Sequence, residues 1–149
     1  MSKHNILISV VDGQGGGIGR QYIQTLRSLM PAGLPVTVRA LGTNSLATSS
    51  MLKGGADDGA TGENAIIVNA EKSDIIVGVV AIVIADSILG ELTGAMAAAI
   101  GRSSASRILI PFDHCGTHVV TLGNGSMQSY VHQAAALTIE LVQSLMKEV

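Results

Sequence analysis

The sequence predicts an α/β fold of the Rossmann-like type, in three layers, with a mostly parallel sheet of five or six strands and a long C-terminal helix. Apolar runs of strand length alternate with helical segments, which is the pattern of βαβ units. A glycine-rich turn joins the first strand to the first helix, as in nucleotide-binding α/β proteins. The 149 residues, 47% of them hydrophobic, suit a single domain over residues 1–149 with a sizeable core.

The first half of the chain contains two strand–helix units. The apolar strand Asn5–Val11 precedes a periodic helix at Gly17–Leu29, which Pro31 ends. The β-branched strand Val36–Leu41 precedes a short helix at Leu46–Lys53, which a polar turn caps and a glycine pair ends.

The middle of the chain is less regular. Ala56–Asn64 is predicted as a loop rich in Gly and Asp, and Ala65–Ala70 and Asp74–Val80 as strands. The three residues between those strands are few for a crossover helix, so the two strands need not be parallel neighbours. Ala81–Leu89 is apolar throughout and periodicity does not distinguish helix from strand, but the absence of a turn signal favours a helix that Gly90 caps.

The last third contains a helix that Thr93 caps and that runs through Ile100. Strands are predicted at Arg107–Pro111 and Thr117–Leu122. After a Gly-Asn-Gly-Ser turn, a long amphipathic helix at Met127–Lys147 completes the fold.

Composition excludes several functional classes. The net charge is −2 and the basic residues are scattered, so no electrostatic footprint for nucleic acid is present. The longest apolar run, Ile75 to Ala85, is too short to span a membrane, and one cysteine without a signal-peptide pattern suits a cytoplasmic protein. Charged residues make up only 13%, which leaves little polar surface for a monomer. We therefore expect a homo-oligomer.

The turn after the first strand is the strongest functional signal. It lacks the Gly-Lys-Ser/Thr ending of a P-loop, since Arg20 follows Gly19. Gly13, Gly17 and Gly19 instead have the G-x-x-x-G-x-G spacing that resembles the cofactor turn of short-chain dehydrogenases/reductases. We expect the turn to bind a phosphate through backbone amides and the helix dipole. The alternative is a turn that only allows helix–strand packing. The candidate binding residues here are Asp12, Gly13, Gly15, Gly16, Gly17, Ile18 and Gly19.

Asp12 needs a different role from the glycines. A carboxylate at the tip of the first strand repels phosphate, so it is expected to hold backbone amides of the turn, a ribose hydroxyl or a cation.

The end of the second strand weakens the case for NAD. No carboxylate stands there to hold ribose hydroxyls. Gly42, Thr43 and Asn44 offer neutral contacts, with Asn64 and its neighbours from residue 61 as a further candidate surface for the sugar or base. The residues at 43–45 are equally well explained as a helix cap. NAD(P) or another nucleotide stays the candidate cofactor, and a small phosphorylated ligand such as a mononucleotide or sugar phosphate the candidate partner.

Redox turnover is not indicated, because neither Tyr22 nor Tyr130 has the lysine four residues later that dehydrogenase chemistry needs. We expect binding or regulation. Two alternatives stay open. One is a small enzyme that uses Cys115, His114 or His118 beside the turn, with Asp86 as a further catalytic candidate. Cys115 with these histidines supplies too few ligands for a closed zinc site, so no metal is expected. The other alternative is a structural subunit of a homo-oligomeric assembly.

Four segments carry a family resemblance. They are Val11-Asp12-Gly13-Gln14-Gly15-Gly16-Gly17-Ile18-Gly19, the segment from Ala40 to Ser49, Gly59-Ala60-Thr61-Gly62-Glu63-Asn64-Ala65-Ile66, and Ile108-Leu109-Ile110-Pro111. Together they resemble a small bacterial family, "domain of unknown function 3842", over roughly residues 5–122. The resemblance implies a Rossmann-like domain without an assigned reaction.

Overall fold

The computed structural model of the protein describes residues 5–113, 116–121 and 125–148. The strands are β1 Ile6–Asp12, β2 Val36–Gly42, β3 Asp58–Thr61, β4 Ile75–Val79 and β5 Ser106–Ile110. The α-helices are α1 Gly17–Leu29, α2 Ser45–Lys53, α3 Glu63–Lys72, α4 Gly94–Arg102 and α5 Met127–Lys147, and a short 3-10 helix follows β4 at Val80–Val83.

The five strands form one sheet in the order β3-β2-β1-β4-β5, and all four pairings are parallel. Helix α1 contacts both α2 and α5 on one face, and α3 packs with α4 on the other, which gives the three predicted layers. The strand order reverses between β1 and β4. In open α/β sheets, ligands bind at the carboxyl ends of the strands beside such a switch point.

The core lies on both faces of the central strand. Ile8 and Val10 point to one face of the sheet and Ser9 and Val11 to the other, and all four side chains are almost fully buried, as expected for a parallel strand covered by helices on both sides. On α1, Tyr22 and Leu26 lie one turn apart and are both inaccessible to solvent. Among the described helices, none has both the length and the apolar character that crossing a bilayer requires.

Two predicted elements in the middle of the chain are wrong. Ala65–Ala70 is not a strand but the centre of α3, and the predicted loop before it contains β3. Ile66 and Ala70 are the buried positions of α3 and are four residues apart, so the helix packs a narrow apolar stripe on the sheet. A parallel connection from β3 to β4 needs a crossover, and α3 supplies it.

The segment after β4 also differs from the prediction. Only its first residues are helical, in the 3-10 turn at Val80–Val83, and a compact loop follows. Asp86, Ile88 and Leu89 have φ values of 62, 57 and 53°, which an α-helix does not allow. Residues 116–121 form no strand where the structure describes them, and Leu122 lies outside the described residues, so the sheet has five strands.

Candidate functional site

The glycine-rich turn lies at the switch point of the sheet. We call residues 12–19 the glycine loop. It runs from the end of β1 to the first turn of α1, beside the residues that follow β4. A cavity of about 180 Å³, the switch-point cavity, opens between them. It is lined by Asp12, Gly13, Gln14, Gly15, Gly16, Gly17, Ile18, Val79, Ala81, Ile88 and Phe112.

The Asp12 carboxylate holds the glycine loop in place. Its Oδ1 accepts the backbone N–H of Gly13 at 2.8 Å, and its Oδ2 accepts the N–H of Gly19 at 2.7 Å. Burial raises the pKa of Asp12, the two N–H groups act to lower it, and the charge of Glu91 adds to the increase. Asp12 therefore engages backbone amides of the turn, one of the arrangements that its position in the sequence suggests.

Three glycines of the loop lie in close contact with other parts of the protein, and Gly16 does so against backbone atoms. A Cβ on Gly13 would lie 2.9 Å from Thr43 Oγ1, and one on Gly16 would lie 2.7 Å from the carbonyl oxygen of Ala47. Gly16 also has a φ of 70°. A Cβ on Gly19 would lie 2.5 Å from the Met51 sulfur. Gly16 and Gly19 allow α2 to approach the glycine loop closely, and Gly13 allows Thr43 and Ile88 to do so.

Packing does not explain the other two glycines. A Cβ on Gly15 or Gly17 would meet no atom within 4 Å, and neither residue has a positive φ. Both residues line the switch-point cavity. Gly17 begins α1, where alanine would be a better helix former. Their lack of a side chain keeps the cavity open.

Three backbone N–H groups of the loop have no acceptor among the described residues. They belong to Gly15, Gly17 and Ile18, whereas the N–H of Gly16 donates to Gly13 and that of Gly19 to Asp12. The first N–H groups of a helix project from its N-terminus and carry a partial positive charge. The loop therefore presents several unused donors beside an open cavity.

Glu91 closes the side of the loop that faces β2, and sequence analysis did not identify it. Its Oε1 accepts hydrogen bonds from Asn44 Nδ2 at 2.6 Å, Thr43 Oγ1 at 2.7 Å and the backbone N–H of Gln14 at 3.1 Å. Partial burial acts to raise its pKa, but these hydrogen bonds outweigh it and lower the pKa. A carboxylate thus reaches the end of the second strand from 47 to 48 residues away in sequence.

A compact loop, residues 84–92, carries Glu91 to this position. Its two ends are joined by a bridge between Ser87 and Leu92, and the N–H of Asp86 donates to the carbonyl of Leu92. Ile88 is buried against the glycine loop, while Leu89 at the tip is 80% exposed. In the sequence, Glu91 is preceded only by an apolar run and Gly90. Nothing in that segment indicates that it contacts Gln14, Thr43 and Asn44.

A second cavity, of about 170 Å³, adjoins the first. The two share Ala81, Ile88 and Phe112, and the second extends along the 3-10 helix to Asp86 and Thr117. Asp86 is exposed at the edge of this second cavity.

The remaining candidate binding residues lie around β2. Thr43 and Asn44 follow it directly, and Asn44 also caps α2 by accepting the N–H of Ala47 at 2.9 Å. Gly42 ends β2, and its carbonyl accepts the N–H of Gly62. Asn64 is exposed on the first turn of α3 and does not line the switch-point cavity.

The alternative catalytic cluster lies partly outside the described residues. His114 and Cys115 lie outside the described residues. The side chain of His118 is 84% exposed, and its Nδ1 lies 3.8 Å from the Asp113 carboxylate. Within residues 5–113, 116–121 and 125–148, no three metal-ligating side chains come together.

Comparisons with known proteins place the chain in a family. No curated protein matches the sequence. A crystal structure of a universal stress protein in complex with cAMP is similar at 18% identity and a TM-score of 0.34, over 68% of this chain and 94% of that chain. Similarity at this level says nothing about the ligand of this chain. Residues 7–143 match the family model described as "Domain of unknown function (DUF3842)". Because the match spans most of the sequence, the protein belongs to the DUF3842 family.

Proposed function

We propose that the glycine loop binds the phosphoryl group of a small phosphorylated ligand, of mononucleotide or sugar-phosphate size. The observation that carries this proposal is the pair Gly15 and Gly17. Neither is needed by the protein's packing, both line the cavity, and their N–H groups have no acceptor among the described residues. A phosphoryl group would accept these N–H groups and that of Ile18.

The electrostatics of the loop are compatible with an anion. The N-terminus of α1 contributes a positive potential that falls off within its first turn. Asp12 opposes it, but both of its carboxylate oxygens already accept backbone N–H groups. No lysine or arginine lines the cavity among the described residues, so affinity rests on backbone donors. We therefore expect modest affinity that depends on the fit of the whole ligand.

The size of the site favours a small ligand over a dinucleotide. Ligand pockets for drug-sized molecules have roughly 300–1,000 Å³. The switch-point cavity has about 180 Å³, and the adjoining cavity about 170 Å³. The path toward β2, along which a dinucleotide would lie, is occupied by Glu91. A phosphoryl group in the first cavity with a compact body in the second suits this geometry better than NAD(P).

Binding or regulation is proposed rather than redox turnover. Tyr22 lies on α1 and is fully buried where this helix packs against α5. Its hydroxyl lies 2.6 Å from Thr138 Oγ1 on α5, so it does not reach the cavity. The Tyr130 hydroxyl contacts Thr121 and the N–H of Gly125. The enzyme alternative with Cys115 and His114 stays a prediction, which iodoacetamide labelling at neutral pH would test.

A thermal-shift panel with a blocking variant tests the proposal. Orthophosphate, sugar phosphates, mononucleotides, NAD and NADP are compared on the wild-type protein and on Gly17→Val, which fills the cavity without meeting a protein atom within 4 Å at its Cβ. Gly101→Val is the matched control, because Gly101 also has open space at its Cβ but lies on α4. We expect stabilisation by at least one phosphorylated compound, lost in Gly17→Val and kept in Gly101→Val. No stabilisation of the wild type by any of them would contradict the proposal.

A further inference from the structure

We propose that Gln14, Thr43 and Asn44 form a second anion subsite, which Glu91 occupies as an intramolecular competitor. In this proposal, release of residues 86–91 exposes the three donors to the second phosphoryl group of a diphosphate ligand. The inference rests on the proposed function, because the first phosphoryl group occupies the glycine loop.

The geometry around Glu91 is that of a bound anion. Three donors, a backbone N–H, a hydroxyl and an amide nitrogen, converge on the single oxygen Oε1 at 3.1, 2.7 and 2.6 Å. They come from two separate segments, the glycine loop and the turn after β2. A phosphoryl oxygen accepts the same hydrogen bonds as a carboxylate oxygen. The side chain of Glu91 therefore marks where an external anion would bind.

The loop that carries Glu91 has the features of a displaceable segment. Asp86, Ile88 and Leu89 adopt left-handed backbone conformations that non-glycine residues rarely adopt. Leu89 at the tip is 80% exposed, so it gains little from the closed position. The glycine loop contact is made through the Glu91 carboxylate and the buried side chain of Ile88. Displacement of the carboxylate removes the polar part of this contact.

The two subsites are adjacent. Gln14 supplies a donor to the second subsite and Gly15 to the first, and these residues are consecutive in the chain. Their Cα atoms are therefore about 3.8 Å apart. Two phosphoryl groups that share a bridging oxygen suit donors at this spacing. The ligand class is thus a small phosphorylated compound that carries a diphosphate, whose second phosphoryl group reaches toward β2 only when Glu91 is released.

The test compares pyrophosphate with orthophosphate on Glu91→Ala. Removal of the competing carboxylate is expected to strengthen pyrophosphate binding about tenfold, because three donors become available. Orthophosphate, which needs only the first subsite, is expected to change less than about threefold. Glu140→Ala removes the same charge from an exposed position on α5 and is the matched control. Adding Thr43→Val to Glu91→Ala is expected to reverse most of the gain.

The outcomes separate this inference from the proposed function. If orthophosphate binds the wild type at Gly15–Ile18 but Glu91→Ala binds pyrophosphate no better, the second subsite is wrong and the first stands. If orthophosphate does not bind there at all, the proposed function itself fails. A folding check by circular dichroism accompanies each variant. Should Glu91→Ala not fold, pyrophosphate titration of the ¹⁵N-labelled wild type decides: shifts at Leu89–Leu92 together with Gln14 support the inference, and shifts confined to Gly15–Ile18 overturn it.

Discussion

The Asp12 carboxylate accepts the backbone N–H of Gly19 at 2.7 Å and thereby joins the end of β1 to the first turn of α1. Its other oxygen accepts the N–H of Gly13, so one side chain fixes both ends of the glycine loop. The donors that remain, on Gly15, Gly17 and Ile18, are held in place by this arrangement. A preorganised set of donors loses little conformational entropy when a ligand binds.

Asp12→Asn is predicted to destabilise the protein by about 1–3 kcal/mol, because one of two buried N–H groups loses its acceptor. The amide supplies a single acceptor oxygen and turns an NH₂ group toward the other donor. Urea unfolding at neutral pH measures the loss. Glu140→Gln, an exposed carboxylate on α5, should stay within about 0.5 kcal/mol of the wild type. Equal stability of Asp12→Asn and wild type would show that Asp12 does not hold the loop.

Gly16→Ala and Gly15→Ala should have different effects on the free energy of unfolding: the first should lower it and the second should not. Gly16 has a φ of 70°, and a Cβ there would lie 2.7 Å from the Ala47 carbonyl oxygen, so alanine adds strain and a backbone clash. We expect a loss of about 1–2 kcal/mol or more. Gly15 has open space at its Cβ, and alanine there should leave the free energy of unfolding unchanged or slightly higher. Thermal and urea unfolding of the two variants check the contrast, and a stable Gly16→Ala would refute the packing role.

The stabilisation from Glu91 should depend on pH. The pKa of Glu91 in the folded protein is lowered below its usual 4.5, so its contribution is present above pH 4.5 and is lost as the pH falls through the folded-state pKa. Burial raises the pKa of Asp12, so the contribution of Asp12 to the free energy of unfolding has the opposite pH dependence and falls as the pH rises. The difference in unfolding free energy between wild type and Glu91→Gln isolates the contribution of Glu91. It should favour the wild type at pH 7 and vanish well below pH 4.5, and a difference that is independent of pH would contradict the contact.

We predict a homo-oligomer, with β5 and α5 as its contact surface. Leu109 and Leu137 are 36% and 43% exposed and line a groove of about 390 Å³ between these elements. Size-exclusion chromatography with light scattering at micromolar concentration should show a dimer or larger species. Leu137→Lys should shift the population toward monomer, whereas Leu52→Lys on α2 should not. A monomeric wild type would rule the prediction out.

Much of the sheet can be predicted because four of its five strands contain an apolar or β-branched run. The limits of β1, β2, β4 and β5 were expected to within about one residue, since an apolar or β-branched run in a parallel sheet is visible locally. β3 was missed because Asp58-Gly59-Ala60-Thr61 is an edge strand with mostly exposed residues and no hydrophobic alternation. Its pairing with β2 is a tertiary property.

The helix α3 shows the opposite error. The run Ile66-Ile67-Val68 has strand propensity, but Ile66 and Ala70 are the residues that face the core, at helical spacing. The need to connect two parallel strands overrides the local preference of β-branched residues.

The site was predicted only in part. The glycine loop can be predicted from the order strand, glycine-rich turn, helix. The spacing of Gly13, Gly17 and Gly19, and the residues that follow, distinguish it from a P-loop. Glu91 could not be predicted, because its partners Thr43 and Asn44 are 48 and 47 residues away. Its position also depends on consecutive left-handed residues in an apolar segment, which no local pattern indicates.

The most direct test of the proposed phosphate site is a titration of the ¹⁵N-labelled protein with orthophosphate and a mononucleotide, followed by amide chemical shifts. The N–H signals of Gly15, Gly17 and Ile18 should move with a common saturation curve, because a phosphoryl group supplies the acceptor that they lack. The signal of Gly19, held by Asp12, should move less, and that of Gly101 on α4 should not move. Unchanged signals at Gly15, Gly17 and Ile18 under millimolar ligand would contradict a phosphate site in the glycine loop.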